Sequence, residues 1–443
     1  MKLSVVGLGH LGLPMAAWFA KYFDVIGIDK NPNVISGLLN NNCHVWEVGL
    51  RELILDVGDK LQVTDDYNLI KDTDATFIIV PTPSGDDHRF SNDYVLSALR
   101  KLGRVLKNKD GYHLVALTST VMPGSMEREL NPELEEASGK KCGVDFGFCY
   151  SPEFVALGSV VDGMERPDVV LIGESDEQAG NMLAGIYTET CTNDPPICKM
   201  SWWNAEVSKL MLNVFVTTKI SLANTFSQVC EKIPGGNIDA VTDFLGYDKR
   251  IGHKYLKGGL GFGGPCFCRD GRAFMKMADE LNMVAPIQQV TDFFNKKYDF
   301  RIAERAMSIV GYPLFKKRVA ILGATYKPDT DVIEESAAVK IANYLVDKKV
   351  EVKMYDPAGL KYVLREYGGT IICSESIEEC LRDADLCIVA TQWDEFKNLT
   401  PQTFNIMKQP RVLDCWRILD KKVLEEAGVD YYAVGINKKK GGK

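Results

Sequence analysis

Cys266 lies in the segment GGLGFGGPCFCRDGRAF, which runs from Gly258 to Phe274 and has five glycines ahead of the thiol. A thiol is nucleophilic at neutral pH through its thiolate fraction. Arg269 and Asp270 follow three and four residues on, and a helix starting here sets the cysteine near its positive end. The glycines let backbone N–H groups and a substrate come close without side-chain collision. Core packing is the rival reading for any cysteine, and the preferred one for Cys43, Cys230 and Cys387. It is also preferred for Cys268, because cysteines two apart bridge poorly.

A second candidate lies at the other end of the chain. GLGHLG places Gly7, Gly9 and Gly12 between an apolar strand and a helix. In such a turn the first glycine makes the bend and the second admits a pyrophosphate. The third allows close helix–strand packing. The helix N-terminus then faces the phosphates. Asp29 ends the next strand, DVIGIDK, twenty residues after Gly9, where an acid that binds ribose hydroxyls belongs. Its charge selects NAD over a 2′-phosphorylated cofactor, although Lys30 stands beside it. A glycine turn without cofactor is the alternative. A thiol and a dinucleotide site in one chain point to aldehyde oxidation: the thiol adds to an aldehyde, a hydride leaves, and water cleaves the resulting thioester. A carboxylate must activate that water, and SPEFVALGS offers Glu153 in a proline-fixed loop.

The third candidate is a stripe. In AEVSKLMLNVFVTTKISLANTF, Lys209, Asn213, Thr217 and Asn224 fall at steps of four, four and seven, so they share one helical face. The rest of the segment is apolar. Two readings stand level: the exposed edge of a helix, or a lysine and an amide aimed into a site.

These residues need elements to position them. The first third alternates strands (LSVVGLG, DVIGIDK, ATFIIVPTP, YHLVALTSTVMPG) with helical stretches such as Met15 to Tyr22, which predicts a parallel, doubly wound sheet. From Asn204 to Lys232 there is no proline or glycine, which predicts a helix of roughly 43 Å. A second helical tract runs from about Pro286 to Val310. The last third repeats the strand–helix alternation in RVAILGATY, EVKMYDP, ADLCIVATQWDEF and PRVLDCWRIL. The fold class is therefore α/β: two Rossmann-like doubly wound domains joined by a long central helix and a small helical domain. The expected boundaries are 1–200, 201–312 and 313–443. In the last domain only Gly323 remains of the glycine pattern, so a second dinucleotide site is not expected. Lys327 lies in its first loop, where such folds bind ligands, although simple solvation is the ordinary reading for one loop lysine.

Composition bounds the partners. The chain has 443 residues and a net charge of −8, which argues against a nucleic-acid surface. Its one basic run, NKKKGGK from Asn437 to Lys443, reads as a frayed end. No apolar run reaches membrane-spanning length. Three glycines interrupt the apolar start, which argues against a secretory signal. Twelve cysteines without paired spacings read as reduced thiols in a cytoplasmic compartment, and no metal site is expected.

The combination resembles the UDP-glucose/GDP-mannose dehydrogenase family over nearly the full length. It does so through GLGHLGLP, VPTP, TSTVMPGS, SPEF, AEVSKLMLN, RIGHKYLKGGLGFGGPCF, LGATYKPDTD and ATQWDEF, all in family order. The resemblance, strongest to members acting on UDP-glucose, implies two hydride transfers to NAD that turn a nucleotide-sugar 6-hydroxyl into a carboxylate for polysaccharide biosynthesis. It implies that Cys266 is the nucleophile, Asp270 the acid beside it, and Lys209 and Asn213 the pair that steadies oxyanions and orients sugar or water. Glu153 and Thr120 are implied in thioester hydrolysis. Gly7, Gly9, Leu11, Gly12, Asp29, Thr82, Thr120 and Arg269 are implied as cofactor contacts. Glu153, Lys209, Asn213, Arg250 (from a partner subunit), Lys257, Gly263, Lys327 and Arg417 are implied as substrate contacts. A homodimer or higher homo-oligomer built on the central helix is also implied. The same reaction on a UDP-N-acetylhexosamine or GDP-mannose is an alternative, and so is a non-catalytic nucleotide-sugar binder. Four positions depart from the family: Pro265 replaces a serine, Leu157 a glutamate, Arg269 a lysine and Glu334 an arginine.

Overall fold

The structure, a computed structural model, describes residues 1–437, so the basic tail beyond Asn437 lies outside the described residues. The chain divides into two compact units, Met1–Met211 and Leu212–Lys443. The division falls inside one uninterrupted helix, Trp202–Lys232, of 31 residues, about 46 Å at the helical rise. It starts two residues before the expected Asn204. There the Trp202 indole donates to the Phe148 carbonyl (2.9 Å) and anchors the first turn.

The first unit is built on eight strands: β1 (Lys2–Val6), β2 (Asp24–Ile28), β3 (Leu61–Thr64), β4 (Ala75–Ile78), β5 (His113–Leu117), β6 (Phe146–Tyr150), β7 (Val170–Gly173) and β8 (Ile197–Met200). Their order is β3-β2-β1-β4-β5-β6-β7-β8. Pairing is parallel except where β7 meets β6. The strands alternate between two cores. Leu3, Val5, Phe77 and Ala116 pack with Met15, Trp18 and Phe19 of the helix Gly12–Phe19. Val6, Ile78, Val115 and Leu117 pack with Leu99, Leu102 and Leu106 of the helix Asp93–Leu106. Each such side chain, fully buried, contributes about 1.5–3 kcal/mol. The first helix starts three residues before the expected Met15, because glycine at position 12 lets it sit against the turn: a Cβ there would stand 1.8 Å from the Gly7 carbonyl oxygen.

The second unit repeats the plan with β9 (Arg318–Leu322), β10 (Glu351–Tyr355), β11 (Ile372–Cys373), β12 (Leu386–Val389), β13 (Arg411–Asp414) and β14 (Asp430–Ala433). The order is β11-β10-β9-β12-β13-β14, parallel throughout. Ahead of this sheet stand the rest of the central helix and the helices Ile238–Tyr247, Phe267–Glu280 and Pro286–Val310. The last of these buries Tyr298, Ile302, Ala303 and Ala306 in the core that also holds Val319 and Ile321 of β9.

Candidate active site

In the first unit the strand order reverses between β1 and β4, the position at which open α/β sheets bind ligands beyond the carboxyl ends of their strands. Gly7 makes its turn at φ 96°, and a Cβ there would meet the Ile79 carbonyl oxygen at 2.0 Å. Gly7 and Gly12 are thus fixed by packing. Gly9 differs, since nothing lies within 4 Å of where its Cβ would be. That leaves an open face of backbone at the start of a helix with no side-chain cap, a fit for a pyrophosphate. Asp29 takes the Leu8 N–H (2.8 Å) on one oxygen and the Asn31 N–H (2.8 Å) on the other. Both oxygens keep lone pairs for ribose hydroxyls. Leu11 is the N-cap residue of the helix Gly12–Phe19.

Beyond β4 and β5, the Thr82 hydroxyl donates to the Thr120 carbonyl (2.7 Å). Glu206 of the central helix, fully buried, takes the N–H groups of Gly124 (2.6 Å) and Met126 (2.8 Å) and so ties down the same loop. Burial raises its carboxyl to about 7. Three residues further along the helix, Lys209 is 7% exposed. Its ammonium donates to the Glu153 carbonyl (2.5 Å) and lies 4.6 Å from the centre of the Phe154 ring. The Glu153 carboxyl accepts from the Tyr187 hydroxyl (3.1 Å). Burial pushes it up to about 7, against the opposing pull of the Tyr187 hydrogen bond and the Lys209 charge. Glu206 and Tyr187 were not singled out from sequence. An acid near the start of a largely apolar helix was a usable signal for the first, and nothing marked the second.

The second unit holds the thiol. Cys266 is exposed and is the N-cap residue of the helix Phe267–Glu280, where the helix dipole stabilises negative charge. Asp270, one turn inside and 1% exposed, accepts from the Asn213 amide (2.7 Å) and from the Arg269 guanidinium (3.2 Å). Cys268 is buried, and burial raises its thiol to about 12, so it is a packed residue.

The glycine segment is also packed from within the unit. Its glycines are filled by the protein's own groups. A Cβ at Gly258 would meet the Ser227 hydroxyl (1.8 Å), at Gly259 the Trp416 ring (2.3 Å), at Gly263 the Glu335 carbonyl (2.5 Å) and at Gly264 the Tyr326 ring (2.7 Å). The Gly264 N–H donates to the Glu334 carbonyl (3.0 Å). Close packing within the unit is thus a reason for these glycines in its own right.

The polar stripe is also decided. Lys209, Asn213, Thr217 and Asn224 are all at most 7% exposed, while Phe215 is 73% exposed and Met211 and Leu222 are each 49% exposed. The polar stripe is buried while several apolar residues of the helix are exposed, the reverse of an exposed polar edge. Among the expected substrate contacts, Arg250 is exposed and paired with Asp248 (2.5 Å), Lys257 is exposed and Lys327 half-buried. All three nitrogens of the Arg417 guanidinium have partners within the unit. They are Asp239 (2.7 and 2.9 Å), the Val434 carbonyl (3.0 Å) and the Gly258 carbonyl (2.7 Å), with a longer bond to Cys415.

Family comparison matches this arrangement in three pieces. Residues 1–191 match the NAD binding domain of the UDP-glucose/GDP-mannose dehydrogenase family, residues 203–297 its central domain and residues 320–421 its UDP binding domain. The chain belongs to the UDP-glucose/GDP-mannose dehydrogenase family. It is 35% identical over 435 residues to a UDP-glucose 6-dehydrogenase of Haloferax volcanii, covering 97% of this chain and 99% of that protein. Its fold superposes on a UDP-glucose dehydrogenase from Pyrobaculum islandicum with a TM-score of 0.86 at 31% identity, covering 98% of each chain. It superposes on a UDP-D-ManNAc dehydrogenase from Pyrococcus horikoshii with a TM-score of 0.83 at 26% identity, covering 98% and 99%. Members are NAD-dependent nucleotide-sugar dehydrogenases, and NAD is the cofactor that the Gly7–Gly12 turn and Asp29 fit. No helix among the described residues is long and apolar enough to cross a membrane.

Two departures from the family pattern have visible consequences. Leu157 packs against the first core, and its neighbours Gly158 and Val160 donate their N–H groups to Glu47 (2.7 Å each). Glu334 is exposed and contributes its carbonyl to the cysteine loop.

Proposed function

We propose that the protein oxidises the 6-hydroxyl of a UDP-sugar, UDP-glucose foremost, to a carboxylate in two successive NAD-dependent steps. The observation that carries the reading is the group in the second unit: an exposed thiol at a helix N-cap, with a buried carboxylate one turn inside it held by the Asn213 amide. NAD, when bound, supplies the hydride acceptor for both oxidations. Cys266 adds to the C6 aldehyde produced by the first oxidation, which gives a thiohemiacetal. Loss of the C6 hydride leaves a thioester. Water then cleaves the C–S bond, freeing the carboxylate and returning the thiol. Asp270 exchanges the thiol proton. Glu153, raised to about 7, is part-ionised at neutral pH and takes the proton of the hydrolytic water, steadied by Thr120. The fixed Lys209 ammonium stabilises the oxyanions, an effect worth several kcal/mol in a water-poor site. Gly7, Gly9, Leu11, Gly12, Asp29, Thr82 and Arg269 hold the cofactor. Asn213, Lys257, Gly263 and Lys327 hold the nucleotide-sugar, and Arg417 steadies the loop at Gly258.

The likeness to the Haloferax and Pyrobaculum dehydrogenases supports UDP-glucose. The likeness to the UDP-D-ManNAc dehydrogenase supports an N-acetylated sugar as the second reading. A homodimer completes the proposal. Phe215, Leu222 and Val229 lie seven apart on the central helix, exposed by 73%, 49% and 54%, with Phe244 at 74% nearby in the sequence. Such a row is covered by a second copy, and Arg250, 87% exposed, is the residue that reaches across.

The test incubates the protein, with its mass in solution measured by light scattering, with NAD⁺ and UDP-glucose, UDP-N-acetylhexosamines and GDP-mannose. About two NADH per sugar are expected with UDP-glucose, together with the mass of two chains. Cys266→Ser should slow turnover by at least about a thousandfold, because the covalent route is lost. Binding of the sugars without NADH production would sink the enzymatic reading, and a mass of one chain would sink the dimer.

A further inference from the structure

Residues 258–263, before Cys266, belong to no helix or strand, yet all but the half-buried Gly261 are buried, so their backbone polar groups need partners. Three buried side chains supply them. Asn224 of the central helix, 1% exposed, accepts from the Gly259 N–H (2.9 Å) and donates to the Leu260 carbonyl (3.0 Å). Asp299 of the helix Pro286–Val310, 0% exposed, accepts from the Gly261 N–H (3.0 Å). Asn295, one turn earlier and 4% exposed, accepts from the Phe262 N–H (2.9 Å) and donates to the Phe262 carbonyl (2.9 Å). Four consecutive residues are thus pinned by side chains that imitate a neighbouring strand. Gly261 exists for this contact: a Cβ there would meet the Asn295 oxygen at 2.7 Å and the Asp299 oxygen at 2.8 Å. The Asn295 amide also approaches the Cys268 sulfur (4.0 Å), which in turn contacts the Phe262 carbonyl (3.9 Å). Asn295 therefore touches the chain on both sides of Cys266.

We propose that Asn295, Asp299 and Asn224 are positioning residues that fix the loop carrying Cys266 and so set the place of its thiol. None touches the reacting atoms, and each acts through the backbone. The inference rests on Cys266 being the nucleophile. Peptide-like clamping of this kind matters because a displacement of about 1 Å at a reacting group costs on the order of a hundredfold in rate. Burial raises the Asp299 carboxyl to about 6, so at neutral pH it is ionised and its bond to Gly261 is charge-assisted.

The test uses Asn295→Leu, which keeps size and removes both hydrogen bonds, and Asp299→Asn, which keeps the acceptor. The first readout is alkylation of Cys266 by iodoacetamide, measured by peptide mass spectrometry as a ratio to the exposed Cys198 of the same molecule. The second is kcat against KM. Asn295→Leu should change the alkylation ratio by about threefold or more and lower kcat by about ten- to a hundredfold, with both KM values within about threefold. Asp299→Asn should retain most of the parent's ratio and kcat. An unchanged ratio in folded Asn295→Leu overturns the proposal. Should that variant not fold, hydrogen exchange of the parent decides: the Gly259, Gly261 and Phe262 amides must exchange far more slowly than those of residues 252–255, and fast exchange overturns it. If the parent oxidises no sugar, the proposed activity fails, while the alkylation ratio and the exchange rates still judge the clamp.

Discussion

After β1 the chain turns at Gly7 (φ 96°), and after β9 it turns at Gly323 (φ 101°). Each turning N–H donates to the end of the next strand, Gly7 to the Ile28 carbonyl and Gly323 to the Tyr355 carbonyl, both at 2.8 Å. An aspartate follows that strand in each case and takes the N–H of the residue after the glycine: Leu8 to Asp29 (2.8 Å), Ala324 to Asp356 (2.7 Å). The likeness stops there. Asp29 takes two backbone donors. Asp356 takes six: the N–H groups of Ala324, Thr325, Ala358 and Gly359, the Thr325 hydroxyl and the Trp393 indole. A carboxylate offers about four lone-pair sites, so Asp29 has capacity left for a ribose and Asp356 has none. The helix begins five residues after Gly7 but fourteen after Gly323, which gives the second turn a long loop carrying Lys327. The same turn serves a dinucleotide in one sheet and a structural knot in the other. What separates them is how many donors the surrounding chain aims at the acid.

The largest expected effect tests that contrast directly. Asp356→Ala strands six donors, five of them in buried bonds, and should cost about 4 kcal/mol or more, seen as a fall in the melting temperature of the second unit. Asp29→Ala should cost about 1 kcal/mol in stability and weaken NADH binding about tenfold, the worth of a charge-assisted hydrogen bond. Equal losses of stability in the two variants would show that Asp29 is as structural as Asp356.

A smaller effect separates the two sheets by pH. His113 at the start of β5 is buried, its ring nitrogens facing the Thr76 hydroxyl (2.8 Å) and the Thr73 carbonyl (3.2 Å). Burial first, then the nearby Lys109 charge, depress it to about 3. The unfolded chain, with an ordinary histidine near 6.5, binds the proton more readily between those two values. Its contribution is therefore complete above pH 6.5 and is lost as the pH falls toward 3, about 2 kcal/mol of it by pH 5. Hydrogen exchange at pH 7 and 5, corrected for the intrinsic rate, should show β4 and β5 weakened relative to β9 and β12. His113→Gln should remove the difference.

The repeated architecture was legible because it rests on local patterns: short apolar runs ending in glycine or aspartate, and a proline-free stretch from Asn204 onward. The turn around Gly7, Gly9 and Gly12 was legible for the same reason, since turn chemistry is local. The packing role of the cysteine segment was not legible, because its partners lie elsewhere in the chain. Ser227, Trp416, Asn295 and Tyr326, which crowd Gly258, Gly259, Gly261 and Gly264, come from distant parts of the sequence. The polar stripe from Lys209 to Asn224 was visible as a stripe. Its direction was not, because periodicity gives a face and tertiary packing decides which way that face turns. The antiparallel β7 left no mark in sequence either.

The smallest expected effect on the fold concerns Gly9. Its two partner glycines are held by contacts that a Cβ would break, whereas Gly9 faces open space at an ordinary backbone angle. Gly9→Ala should therefore leave stability within about 1 kcal/mol of the parent, and a slight gain is the natural direction, since alanine loses less chain entropy on folding. The added methyl nevertheless stands where a pyrophosphate must approach the backbone. NADH affinity, followed by fluorescence titration, should fall about tenfold or more, equivalent to about 1.4 kcal/mol. A variant that binds NADH as tightly as the parent would mean that the phosphates pass elsewhere. The openness at Gly9 would then be an ordinary surface, and the difference between the two sheets would rest on Asp29 and Asp356 alone.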